Sequence, residues 1–277
     1  MPLSHSAIHD YLESRTPIAD LPVDWEQTGY TSDEFNRWAA SLEFPGWDGD
    51  IATEEEVQVI TAILNAEPGD YLLDVACGYG RHALPLAEGY GLLVTGTDIS
   101  DGLITNARRR AVRRGIDIEY EVGDARDIPW VDQFQHAMVA FNSFSLFSPQ
   151  DAPLVLGRIR RALRRNGRLF MDLDNKSYSV NQVTHRKNWS LSPQGLTLQE
   201  IYLHEKRSVE VLRDLHFPAR EDRVREFLAF KQLYSIEELT SLLLKCGFKA
   251  EQVYGGWDLT PLSRLRPKIL LVATRQD

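Results

Sequence analysis

Apolar and polar positions recur along this chain in two different rhythms, and the change of rhythm divides it. Between residues 69 and 175, short apolar runs at 71–75, 92–97, 116–121, 135–141 and 168–173 are separated by stretches with helical spacing. Strand-like runs joined by helical stretches predict a parallel sheet with crossover helices. One helix is predicted after Gly80, and a second from the cap candidates Ser100 and Asp101 to Gly115. A third is predicted from about 151 to 165, ending at Asn166-Gly167. Before this region, residues 1–65 read as helical, with Thr53 as a cap and Glu56 at the spacing of a capping box. After it, residues 188–234 read as successive β-type runs, such as Leu196-Thr-Leu-Gln-Glu-Ile-Tyr-Leu203 and Ser208-Val-Glu-Val-Leu212. Runs this close, with no crossover helix between them, must pair antiparallel. Ser235-Ile-Glu-Glu-Leu239 then opens a helix ending near Cys246-Gly247, before two last strands at 248–254 and 268–274.

The predicted plan is an α/β sheet with a helical N-terminal arm or lid (1–65) and a core (66–277). The core carries an antiparallel β insertion after the fifth strand (180–233), which is expected to cap a substrate. No internal repeat or low-complexity segment is visible.

Composition narrows the function without naming it. With 277 residues, 43% hydrophobic and 26% charged, the chain is an ordinary globular protein with ample core. No apolar run approaches the ~18 residues of a membrane span, and Met1-Pro-Leu-Ser-His5 lacks the pattern of a secretory signal. Two cysteines, Cys77 and Cys246, are too few for a disulfide framework or a zinc site, so a cytoplasmic location is expected. The net charge of −9 disfavours nucleic acid. The arginine-rich stretches at 108–114 and 158–165 fall on predicted helices and read as solvated faces.

Candidate chemistry concentrates in Tyr71-Leu-Leu-Asp-Val-Ala-Cys-Gly-Tyr-Gly-Arg-His82, a strand, a glycine turn and a helix start. Gly78 and Gly80 allow a tight turn against which a ligand can lie. Asp98 ends the following strand, where a carboxylate takes ribose hydroxyls, ~20 residues on. Gly78-Tyr-Gly80-Arg-His-Ala83 also satisfies the dinucleotide pattern Gly-x-Gly-x-x-Gly/Ala. The surrounding charges point elsewhere. Asp74 precedes the turn and Asp124 follows the third strand, so three carboxylates converge on one crevice and would repel a pyrophosphate. They suit a ligand with a sulfonium and an ammonium group and no phosphate.

The chain resembles the class I S-adenosylmethionine-dependent methyltransferases of the small-molecule N- and O-methylating type. The resemblance is carried by Leu72-Leu-Asp-Val-Ala-Cys-Gly-Tyr-Gly80, Thr95-Gly-Thr-Asp-Ile-Ser100, Gly123-Asp-Ala125, Asn166-Gly167 and the block from Tyr234-Ser-Ile-Glu-Glu-Leu239 to Cys246-Gly-Phe248. It implies a Rossmann-like sheet, parallel with one antiparallel C-terminal strand, and S-adenosylmethionine as cofactor. It also implies roles. Asp74 and the turn at Ala76, Gly78 and Gly80 hold the methionine portion, Asp98 takes the ribose and Ile99 packs on adenine. Gly123 lies in the matching block, Asp124 accepts from the adenine amino group, and Ala125 offers its amide. Phe141 and Asn142 border the sulfonium and the acceptor. One residue departs from the pattern: Ala76 stands where the family usually has glycine, so a slightly altered turn is expected.

The implied reaction is in-line methyl transfer to a nitrogen or oxygen of a small metabolite, with no catalytic group identified. A homodimer is left open as an expectation. The alternatives from other classes are an NAD(P)-dependent oxidoreductase and a catalytically silent S-adenosylmethionine binder. Cys77 reads as packing, and Ser143 and Ser145 lie in no hydrolase elbow. Asp172, Asp174 and Asn175 lack the companion acid a Mg²⁺ site would need, since Asn142 stands there, so no metal is expected. His185, His204 and His216 are base candidates in the insertion, and Trp47 is a candidate aromatic partner for the sulfonium.

Overall fold

The computed structural model describes residues 5–26, 32–41, 51–182, 184–192 and 195–277. Among these, helices α1 (His5–Glu13), α2 (Asp33–Ser41) and α3 (Ile51–Leu64) precede the sheet. Strand β1 (Tyr71–Val75) buries every residue after Tyr71, as a strand covered on both faces does. The chain then alternates through α4 (Ala83–Tyr90), β2 (Leu93–Asp98), α5 (Asp101–Arg114), β3 (Glu119–Val122), β4 (Phe134–Val139), α6 (Ala152–Ala162) and β5 (Leu163–Asp174). A short α7 (Lys176–Ser179) leads into β6 (His185–Ser192), β7 (Gly195–His204), β8 (Val209–Pro218) and β9 (Arg225–Gln232). Helix α8 (Ile236–Lys245), β10 (Phe248–Tyr254) and β11 (Lys268–Arg275) close the chain.

The main sheet has the order β10-β11-β5-β4-β1-β2-β3. Its inner strands are parallel, and β11 runs antiparallel to both β5 and β10, which is the predicted α/β sheet with one antiparallel C-terminal strand. Alternate side chains feed two cores. Leu73, Val75 and Met171 pack with Leu156 and Ile159 of α6 and Leu239 of α8. Leu72, Val94 and Phe170 pack with Ile60 of α3, Leu84 of α4 and Ile104 of α5. Strand order reverses between β1 and β4, so α4 and α6 leave toward opposite faces. A crevice opens at the carboxyl ends of these two strands.

Strands β6 to β9 form the predicted antiparallel insertion as a separate four-stranded sheet. Its outward face, with Val209, Val211 and Phe230, is covered by Ile18 and its neighbours from the N-terminal segment. Arg213 fastens the two together. It donates to the Thr16 carbonyl at 2.7 Å and pairs with Glu200 at 3.1 Å and Glu226 at 3.2 Å. The other face turns to the crevice, with Lys231 3.9 Å from Asp174 at the end of β5. Phe227 meets Phe35 of α2 edge-on, at 5.5 Å between centroids.

Three sequence expectations need correction. Helix α6 stops at Ala162, not near 165, because Leu163 is fully buried and bridges Phe134 at the start of β5. Arg164 and Arg165 therefore lie beyond the helix, and Asn166 takes a left-handed φ of 61°. Strand β3 begins only at Glu119, where pairing with Thr95 starts. Thr53 is no cap, since α3 begins at Ile51 and the side chains of Thr53 and Glu56 are engaged elsewhere. The capping box belongs instead to Ser235 and Glu238 of α8. Trp47 lies outside the described residues. No helix among those described is long and apolar enough to cross a membrane.

Candidate active site

The turn after β1 is built on a left-handed backbone. Ala76, Gly78 and Gly80 have φ of 57°, 57° and 74°. Two of these residues reach that region freely. Ala76 does so at a cost of roughly 1–2 kcal/mol, so the departure from glycine is absorbed as strain. The neighbouring strand holds the turn in place: the Cys77 amide donates to the Thr97 carbonyl at 3.0 Å. Asp98 completes the fixing. Its carboxylate accepts from the Gly78 amide and the Ser100 amide, both at 2.9 Å, and its carbonyl accepts from Gly123 at 2.9 Å. One acid thus ties together the ends of β1, β2 and β3.

Among the described residues, the space above this turn is open: apart from its chain neighbours, none has an atom within 4 Å of the position a Cβ on Gly78 would take. Below the turn, a Cβ on Gly80 would collide with the Tyr120 hydroxyl. Asp74 points at the same corner and receives no hydrogen bond from the described residues. Burial, and then the charge of Asp98, push its carboxyl well above the ordinary range, with Arg81 opposing. Asp98, 9% exposed, is also raised by burial, against which the two amides work. Ile99 beside it is 43% exposed, an apolar surface left open at the crevice.

Asp124 sits at the predicted edge but is not a free charge. It caps the 3₁₀ turn Ala125–Asp127 through the Arg126 amide at 2.8 Å and pairs with the Arg126 guanidinium at 2.6 Å. Burial works to raise its carboxyl, yet Arg126 holds it below the ordinary value. The acidity of the crevice therefore rests on Asp74 and Asp98. Ala125 is buried at the same edge.

After β4, Phe141 and Asn142 take consecutive left-handed conformations, φ 54° and 64°, an arrangement that bulky residues hold only where neighbours impose it. The Phe141 amide donates to Asp172 at 3.1 Å. Asn142 accepts from the Asp174 amide and the Ser145 hydroxyl, both at 2.9 Å, and its amide group donates to the Asp174 carboxylate. Lys268, arriving from β11, lies 3.3 Å from Asp172 and 3.1 Å from Asp174. Burial would depress its ammonium, but the two acids raise it instead. A cation of the chain thus occupies the acid pair. Asn175 is spent on capping α7 and on the carbonyls of Ser263 and Arg266. Among the described residues no cluster suits a metal ion.

Other candidates separate cleanly. Cys77 is buried with its thiol pushed far up by burial, which makes it inert as a nucleophile. His185 and His204 lie on the outward face of the insertion with Tyr202. His216 alone of the three shares the inward face with Glu210 and Asp214. Its Nδ1 lies 3.2 Å from the Thr197 hydroxyl, and burial holds it below the ordinary histidine value.

Sequence reasoning missed Arg81, Lys268 and the docking of α2, though it placed a helical arm there. Arg81 stands in the quoted turn and was readable there; Lys268 and α2 reach the site only through the fold. Helix α2 packs against the start of α5, where the Asn36 side chain accepts from the Ser100 hydroxyl at 2.6 Å.

Among the described residues, the donor set and open surfaces fit S-adenosylmethionine: Asp74 without a hydrogen bond for an ammonium, Asp98 for ribose hydroxyls, Ile99 for a flat apolar ring, and clear space over Gly78. Comparison with known proteins agrees. Residues 72–167 match the methyltransferase domain family. The chain is 32% identical over 141 residues to 27-O-demethylrifamycin SV methyltransferase of Amycolatopsis mediterranei, covering 48% of this chain and 51% of that one. It is 24% identical over 211 residues to phosphoethanolamine N-methyltransferase 3 of Arabidopsis thaliana, covering 73% of this chain and 41% of that one. Among solved structures, the CcbJ methyltransferase of Streptomyces caelestis superposes with a TM-score of 0.74 at 16% identity, over 91% of this chain and 99% of that one. The chain spans about half the length of the curated relatives it matches.

Proposed function

We propose that the chain is a class I S-adenosylmethionine-dependent methyltransferase and that it methylates a nitrogen or oxygen of a small metabolite. The observation that carries this reading is the pinned turn, with Asp98 holding the Gly78 amide beneath space that the described residues leave open, and Asp74 beside it with no hydrogen bond from any of them. When bound, the cofactor would supply an electrophilic methyl group on a sulfonium. Asp74, Ala76, Gly78 and Gly80 would hold its methionine portion, Asp98 its ribose, and Ile99, Gly123, Asp124 and Ala125 its adenine. Phe141 and Asn142 would border the acceptor.

The chain's own task is to align the acceptor and exclude water. The insertion would act as the cap, its inward face offering Glu210, Asp214, His216 and Lys231 to a compact polar acceptor. A neutral amine needs no base, whereas a hydroxyl does, and His216 is the imidazole on that face. The reading places the chain in the cytoplasm, with a small molecule as partner and no nucleic acid, membrane or metal. Incubation with S-adenosylmethionine and a panel of amines and phenols should release S-adenosylhomocysteine with at least one of them. Intact cofactor binding with no release from any would make the chain a silent binder.

A further inference from the structure

Arg81 is the first residue beyond the glycine turn, and both terminal nitrogens of its guanidinium are engaged. Its edges donate to Thr53 at 2.9 Å and Glu56 at 2.6 Å, both on α3. Glu56 is shared with His82, whose ring nitrogen lies 2.7 Å from the same oxygen. The guanidinium carbon lies over the Phe141 ring at 4.7 Å from its centroid, a cation–π contact. Phe141 is 60% exposed, so packing covers less than half of it. The Asp172 bond to its amide and the Arg81 contact to its ring help to fix it. Only a planar cation can stack by its face while its edges stay hydrogen-bonded; a lysine offers a point charge.

We propose that Arg81 is a positioning residue of the methyl-transfer site, fixed by Thr53 and Glu56 so that it sets the Phe141 ring as the wall beside cofactor and acceptor. The inference rests on the methyltransferase reading. It makes α3, the last helix before the sheet, part of the site without touching a ligand.

Calorimetric titration with S-adenosylhomocysteine tests it on the full chain and the variants Arg81→Met, Arg81→Lys, Phe141→Leu and Arg81→Met/Phe141→Leu. Arg81→Met and Phe141→Leu should each weaken binding about tenfold. The double variant should also lose about tenfold, because residues acting as one unit are not additive. Arg81→Lys should not restore affinity. If Arg81→Met does not fold, Thr53→Val/Glu56→Gln releases the guanidinium instead and should show the same non-additivity with Phe141→Leu. Losses that multiply to about a hundredfold, or wild-type affinity in Arg81→Lys, would overturn the proposal while leaving the cofactor reading intact. A wild-type chain that binds no S-adenosylhomocysteine would overturn both.

Discussion

Asp74 and Asp98 share a buried corner in which neither ionises easily, and this has a measurable consequence. Both carboxyls sit above their ordinary value, chiefly through burial, and Asp74 also feels Asp98. A folded-state value raised above the unfolded one contributes stability that is fully present below about pH 3.9 and lost as the pH rises through the folded value. An ammonium placed against Asp74 acts in the opposite sense, because it favours the carboxylate. Binding of S-adenosylhomocysteine should therefore release protons at a pH below the folded value of Asp74, seen in a titration series across pH as a heat that varies with buffer ionisation enthalpy. Asp74→Asn should abolish the release, and proton uptake by the wild type would contradict the assignment. The acids and glycines of this corner were legible in the sequence because a phosphate-free ligand with an ammonium, a sulfonium and a ribose dictates their type and order. Asp124 shows the limit. Its position was readable, but its pairing with Arg126 was not, because a side chain's choice of partner depends on rotamers that spacing does not determine.

Among the elements, α2 is the one whose docking sequence alone did not reveal. Its backbone lies so close to α5 that a Cβ on Gly102 would overlap the Asn36 carbonyl oxygen. Alanine for glycine in a helix normally stabilises by about 1 kcal/mol. Here Gly102→Ala should lower the melting temperature, as followed by circular dichroism, and a raised value would mean that α2 does not pack there. Elements with a strict period and a clear cap, such as α5 between Ser100 and Gly115, were readable to within a residue. The end of α6 was not, because the burial of Leu163 in β5 overrides a helical continuation through Arg164 and Arg165. Thr53 and Glu56 misled for a related reason: the spacing of a capping box was put to use in binding Arg81.

At the scale of the whole molecule, the insertion is held from two sides, by the N-terminal segment on its outward face and by α2 and β5 on its inward face. Arg213 is the buried link on the outward side, and Arg213→Ala would remove one partner each from Glu200 and Glu226. Arg15 and Lys187 remain to compensate them, so a loss of roughly 1.5–3 kcal/mol in urea unfolding is expected, the range for a hydrogen bond to a charged group. The central claim is that the pinned turn takes S-adenosylmethionine, and a calorimetric comparison of S-adenosylhomocysteine with NADH tests it most directly. S-adenosylhomocysteine should bind in the micromolar range, about −8 kcal/mol. NADH should not bind, and Asp98→Ala should weaken S-adenosylhomocysteine by roughly 1–3 kcal/mol. Tight NADH binding with no heat from S-adenosylhomocysteine would contradict the account.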